Sequence, residues 1–118
     1  MKFLSLIFLL SIAITGCGTP KRTEINFDHS LKTEVANRVV SSIERTPTYQ
    51  ELNRRAKRSL LDVDEEQGGW VRVDMYSIGR EINHRWATMK VNAQSGLAMK
   101  LDWDEHGEDR WMTEYSPY

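Results

Sequence analysis

The hydrophobic pattern of the chain changes at Gly68-Gly69, and this change limits the folds that the chain can form. Before the two glycines, apolar residues recur every three or four positions, which is typical of amphipathic helices. After them, apolar and polar residues alternate, which is typical of half-buried strands. A helical first part followed by a strand-rich second part predicts the α+β class.

Two N-terminal amphipathic helices are predicted. The first has an apolar stripe at helical spacing, formed by Leu31, Val35, Val39 and Ile43. It ends at Thr46-Pro47, because the residue before a proline disfavours helical backbone. The second extends from Tyr49 to Leu61, with a stripe formed by Tyr49, Leu52, Ala56 and Leu60. Its outer face carries a basic cluster at residues 54–58, which is either a docking patch or, as we favour, solvated helix surface.

Four strands are predicted after the glycines, at Trp70–Ile78, Trp86–Val91, Leu97–Trp103 and about Arg110–Tyr115. Short turns join them, so we expect an antiparallel meander sheet of three to four strands with both helices packed on its apolar face. Alternation places Leu97, Met99, Leu101 and Trp103 on that apolar face. It places Trp86 on the opposite, exposed face.

Length, charge and cysteine content exclude several classes of protein. The chain has 118 residues, which fits one small domain. Its formal net charge is −1, from 16 basic and 17 acidic residues, so a nucleic-acid partner is not expected. A single cysteine, Cys17, excludes an intrachain disulfide, a cysteine-rich zinc site and a CxxC redox pair.

The N-terminal segment has the features of an export signal. Met1-Lys2 is followed by an apolar run to Ile14, which is too short to span a bilayer and has the length of a signal-peptide core. The next residues, Ile14-Thr15-Gly16-Cys17, resemble the lipobox of bacterial lipoproteins. The alternatives are a soluble secreted protein that is cut elsewhere, or a buried N-terminal helix with Cys17 as an ordinary residue.

The lipobox resemblance implies an address and a division of the chain. The signal peptide, 1–16, is removed, and lipid attached to Cys17 anchors the protein in a membrane of the cell envelope. Residues 17–29 form the acylated cysteine with a flexible tether, and 30–118 form the single domain. Gly18 replaces the aspartate that retains such proteins in the inner membrane, which favours the outer membrane, facing the periplasm.

Two groups of residues are candidates for binding. Trp70 and Trp86, if exposed on the sheet, offer large aromatic surfaces that anchor a protein partner or stack on a sugar ring. The alternative is that they fill the core. Asp102, Asp104 and His106 lie in an acidic turn, which is either a ligand site or a solvated loop. The turn resembles a calcium loop, but Thr113 stands where that loop requires a bidentate glutamate.

The motifs of known enzyme classes are missing from the sequence, so no catalytic residue, metal or cofactor is predicted. The three histidines lie far apart, and Cys17 is consumed by the anchor. We therefore predict a non-enzymatic lipoprotein that binds another envelope component, a protein, in an assembly or accessory role. The alternatives are an inhibitor or immunity-type lipoprotein that blocks a hydrolase, and a peptidoglycan-binding module that contacts glycan.

Overall fold

The computed structural model describes residues 22–80, 83–103 and 107–118. The elements follow in the order β1 (Arg22–Phe27), α1 (Thr33–Glu44), α2 (Pro47–Arg55), β2 (Arg58–Gln67), β3 (Trp70–Ile78), β4 (Asn83–Asn92), β5 (Ala98–Trp103) and β6 (Asp109–Tyr115). The six strands form one sheet in chain order. β1 and β2 are parallel and are connected through both helices, whereas all later neighbours are antiparallel.

The predicted fold, two helices on an antiparallel meander of three to four strands, is wrong. The sheet has six strands and is mixed, since β1 and β2 pair in parallel. Neither of these two strands was predicted. β1 lies in the segment predicted as tether, and β2 takes up the end of the predicted second helix, which stops at Arg55. Both missed strands alternate apolar and polar residues, as in Leu61-Asp62-Val63-Asp64. The stripe at Leu52, Ala56 and Leu60 fits a helix equally well locally, and pairing of β2 with β1 and β3 decides between the two.

The core lies between the two helices and one face of the sheet. Its fully buried strand residues include Leu61, Val63, Val71, Val73, Met75, Met89 and Val91. Val39 and Ile43 of α1 and Leu52 of α2 cover them and are themselves fully buried. The alternation predicted for β3 and for Ala87, Met89 and Val91 of β4 is thereby confirmed, and Val39 and Ile43 of the stripe predicted for α1 are buried as expected.

Thr46 joins the two helices at a buried position. Its hydroxyl donates to the carbonyl of Ile43 at 2.7 Å and accepts from the backbone N–H of Tyr49 at 3.2 Å. The first bond occupies a carbonyl near the end of α1, and the second satisfies an N–H at the start of α2 that has no helical partner. Pro47 follows as the first residue of α2, where its missing N–H costs nothing.

The predicted orientation of β5 is also wrong. Ala98 pairs with Val91 and Lys100 with Met89, so Ala98 and Lys100 lie on the helix-covered face of the sheet. Met99, which pairs with Lys90, lies on the opposite face together with Leu101. Ala98 is fully buried. α1 approaches the turn just before it, since a side chain at Gly96 would lie 2.8 Å from the hydroxyl of Ser42. The apolar side chains of Met99 and Leu101 are thus directed away from the helices.

Candidate functional site: the open face of the sheet

The face of the sheet that the helices leave uncovered, here called the open face, carries a continuous set of polar and aromatic side chains. Register assigns residues to it, because directly opposed residues in antiparallel strands share a face. Asp74 pairs with Thr88, Arg72 with Lys90, Lys90 with Met99, and Met99 with Thr113. The open face of β3 to β6 therefore includes Trp70, Arg72, Asp74, Thr88, Lys90, Met99, Leu101, Trp111 and Thr113.

Trp70, Lys90 and Trp111 meet on this face although they lie on three different strands. The Lys90 Nζ is 4.5 Å from the centroid of the Trp70 ring and 4.4 Å from that of Trp111. Both distances are well within the range in which an ammonium is attracted to the electron-rich face of an indole. Trp70 is held in place by the two-residue turn before it, where Gly68 and Gly69 adopt φ values of 60° and 86°. The ammonium thus links the two rings into one surface.

A groove of about 500 Å³ lies beside this aromatic surface and has walls of opposite charge. One wall is acidic and the other combines the two indoles with basic groups. The lining residues are Asp28, Asp64, Glu65, Gln67, Trp70, Arg72, Lys90 and Trp111. A ligand here would meet both signs of charge and two flat apolar surfaces at once.

Carboxylates are crowded next to the groove. Asp62 and Asp74 are direct cross-strand partners, an arrangement that is unfavourable for two like charges. Asp74 is only 7% exposed, and its carboxylate accepts a hydrogen bond from Thr88 at 2.8 Å and from Arg72 at 3.3 Å. These donors satisfy Asp74, and the bond from Arg72 is charge-assisted.

The pKa of Asp64, which lies at the edge of the groove, is affected by the neighbouring carboxylates. Partial loss of solvent around its mostly exposed carboxyl raises its pKa above 3.8, and the negative charges of Asp62 and Asp74 raise it further. Arg72 opposes the effect in part. A positively charged group that entered the groove beside Asp64 would relieve this repulsion.

The predicted binding residues are not brought together. Trp70 is half-buried and lines the groove. Trp86 does not lie on the exposed face: it packs against the core, and its indole N–H donates to the Thr48 carbonyl at 3.1 Å. Asp102 is on the helix side of β5, where it accepts a hydrogen bond from Arg110 at 3.0 Å. Asp104, His106 and the lipidation site Cys17 lie outside the described residues.

The displacement of Trp86 has a local cause in β4. Pairing with β3 shifts register between Met75 and Tyr76, so that Tyr76 lies opposite Arg85 and Trp86 has no partner. Such a bulge redirects the side chains of the strand. Strict alternation would place Trp86 on the open face, and one extra residue turns it towards α2.

Sequence reasoning missed Lys90, Trp111 and Asp64 as groove residues. A signal was present for Lys90, since it alternates with the buried Met89 and Val91. For Trp111, alternation gives no side, because the face of β6 depends on how β5 is oriented. The convergence of the three residues arises from the order of the strands, which a single sequence does not display.

A larger groove of about 760 Å³ lies at the end of the sheet near the start of α1. Its lining in the described part of the chain includes Lys32, Glu34, Glu65, Glu66 and Gln94 and no aromatic side chain. Its Arg38 donates to the carbonyl of Ala93, which ties α1 to the turn after β4. Without an aromatic anchor, this groove is the weaker candidate for a binding site.

Within residues 22–80, 83–103 and 107–118, no three histidine, cysteine or acidic side chains converge in a way that would hold a metal ion. Over the same ranges, no helix has the length and apolar character needed to cross a bilayer. No protein-family model matches the sequence, and no curated protein or solved structure is significantly similar to it. The open face is therefore interpreted from its own chemistry.

Proposed function

We propose that the chain is a non-enzymatic envelope lipoprotein, anchored through lipid on Cys17, whose open face binds another protein of the envelope. The anchor is supported by the lipobox resemblance of Ile14-Thr15-Gly16-Cys17 behind a short apolar run. The binding role is supported by one observation above all, the aromatic surface of Trp70, Lys90 and Trp111 beside a groove with walls of opposite charge.

The position of Lys90 favours a protein partner over a glycan. Sugars bind tryptophan by stacking on the face of the ring, and the Lys90 ammonium already lies over a face of each indole. Side chains of a protein can instead contact the ring edges and pair with Asp64 on one wall and Arg72 on the other. Tryptophan and arginine are also the residues that most often dominate the binding energy of protein interfaces.

The test is affinity purification of the acylated protein from detergent-solubilised envelopes. A partner should copurify with the wild type, and W111A should weaken its binding by about 30-fold, which is the loss typical of a central interface residue. M112A is the matched control, because Met112 is 49% exposed on the same strand but on the other face. It should bind as the wild type does.

Two results would contradict the proposal in different ways. A partner that W111A and M112A retain equally would remove the open face from the interaction. Sedimentation of the protein with purified cell wall, lost in W70A, would show a glycan ligand in place of a protein. The anchor is tested separately by mass spectrometry of the N-terminal peptide, where a free Cys17 thiol would refute acylation.

A further inference from the structure

The folded domain begins very close to the proposed anchor. β1 starts at Arg22, so the connection from Cys17 is five residues long, whereas the predicted tether extends to residue 29. A fully extended chain advances at most about 3.6 Å per residue, which limits this connection to about 18 Å. The end of the sheet where β1 begins must therefore stay within about two Debye lengths of the membrane surface at physiological salt.

This end of the sheet is basic. β1 and β2 are parallel, with Arg22 opposite Arg58, so β2 begins at the same end. β3 ends there and β4 begins there, since Ser59 pairs with Ser77 and Ile78 pairs with Asn83. α2 also finishes there, immediately before β2. The exposed basic residues at this end, here called the basic end, are Arg54, Arg55, Lys57, Arg58, Arg80 and Arg85.

The acidic groups near the basic end compensate for only part of its charge. Glu51 pairs with Arg54 and Arg55, and Glu24 pairs with Arg58. The three arginine side chains are 68%, 65% and 52% exposed, so these ion pairs are weak and can exchange for other anions. Further along this end, Asp109 of β6 lines the same cavity as Arg85, so Arg85 has an acidic neighbour. The basic surface is therefore strongest at the end of α2 and the start of β2.

The opposite end of the sheet is acidic. Asp28 follows β1 there and donates its backbone N–H to Val63 of β2, while Asp64, Glu65 and Glu66 follow along the same strand. The turn that contains Gln94 joins this end, since the Ala93 N–H donates to Gly69. From β1 to β4 the charge is thus divided along the strands, and the basic end of these strands faces the attachment point.

We propose that the basic end docks on the anionic phospholipid headgroups of the membrane that holds the anchor. The inference rests on the proposed acylation of Cys17. Two observations identify anionic headgroups as the binding partner: the connection from Cys17 is short, and the end of the sheet that it reaches is positively charged. Docking orients the strands away from the bilayer, with the acidic end outermost and the open face turned sideways to a partner. Each basic side chain near an anionic surface strengthens the contact about fivefold.

The experiment uses the acylated protein in vesicles that contain a spin-labelled lipid headgroup. Asn83, exposed at the basic end, and Gln94, exposed at the acidic end, are each replaced by cysteine and labelled with a fluorophore. Since Cys17 is the only native cysteine and its thiol is acylated, each variant carries one reactive thiol. The vesicles consist of phosphatidylcholine alone or with a large fraction of phosphatidylglycerol.

The expected result is quenching of the Asn83 probe in phosphatidylglycerol vesicles, reversed by high salt, with little quenching of the Gln94 probe. K57Q should lower the docked-to-undocked ratio about fivefold. K32Q is the matched control, because Lys32 is also exposed but follows the far end of β1; it should leave the ratio unchanged.

The outcomes separate the docking from the anchor. A protein that is acylated at Cys17 but shows equal quenching of both probes, or none for Asn83 in anionic vesicles, would overturn the docking alone. An unmodified Cys17 thiol would overturn the anchor and the docking together. Equal effects of K57Q and K32Q would show that charge at the basic end does not direct the contact.

Discussion

Removal of the Lys90 ammonium tests whether the aromatic surface on the open face is held together by charge. We consider K90M, which keeps an unbranched apolar stem of similar length and loses only the cation. The Nζ lies 4.5 Å and 4.4 Å from two indole centroids, so two cation–π interactions are lost at once. The backbone pairing of β4 with β3 and β5 does not depend on this side chain.

The magnitude follows from the exposure of the site. A cation–π interaction at a partly solvated position contributes about 0.5–1 kcal/mol, so the free energy of unfolding should fall by about 1–2 kcal/mol. For a domain of this size, such a loss lowers the Tm by about 5–15 °C. K90R should retain most of the stability, since a guanidinium also stacks on aromatic faces.

The assay is thermal and urea unfolding of the detergent-solubilised protein, followed by far-ultraviolet circular dichroism. K100M is the control, because it makes the same lysine-to-methionine substitution on the neighbouring strand, at a position on the helix side of the sheet. A K90M protein that unfolds within about 0.3 kcal/mol of the wild type and of K100M would refute the reasoning, since many exposed charges contribute no more than that. The two tryptophans would then be positioned by packing alone.

Three further predictions concern the fold and its charge. L52A should lower the free energy of unfolding by about 2–5 kcal/mol, read from the urea midpoint, because Leu52 is fully buried in the core. T46A should cost about 1–2 kcal/mol through loss of the bonds to Ile43 and Tyr49, and T46S, which keeps the hydroxyl, should recover most of it. D64N should stabilise the protein at neutral pH: the folded pKa of Asp64 is raised above 3.8, so its charge opposes folding above that folded pKa. The gain should disappear as the pH falls below 3.8, where both states are protonated; an undiminished gain there would contradict the assignment.

Local patterns predicted those elements whose period has only one interpretation. The stripe of α1 and the alternation of β3 and β4 identify residues that are buried in the structure. β2 was missed because its first residues also continue the helical stripe of α2. β1 was missed because it lies within the segment that looks like a tether, and a six-residue edge strand is stable only where a partner strand is available.

The candidate site was predictable only in part, because local patterns do not show how distant strands are oriented. Trp70 was identified, whereas the bulge beside Trp86 and the reversed face of β5 placed other predicted residues elsewhere. Alternation shows that consecutive residues of a strand lie on opposite faces of the sheet, but it does not show which face the helices cover. That choice depends on packing between distant segments, such as α1 against the turn at Gly96.

The sequence by itself determined the helical period of α1, the strands after Gly69 and the lipobox-like segment at Cys17, since each depends on residues that are close neighbours in the chain. The tertiary structure alone decided the parallel pairing of β1 with β2, which brings the basic residues to the end that the short connection reaches. It also decided the meeting of Trp70, Lys90 and Trp111. Both depend on the order of strands in the sheet, and that order is selected by the free energy of the whole core, which no local pattern contains.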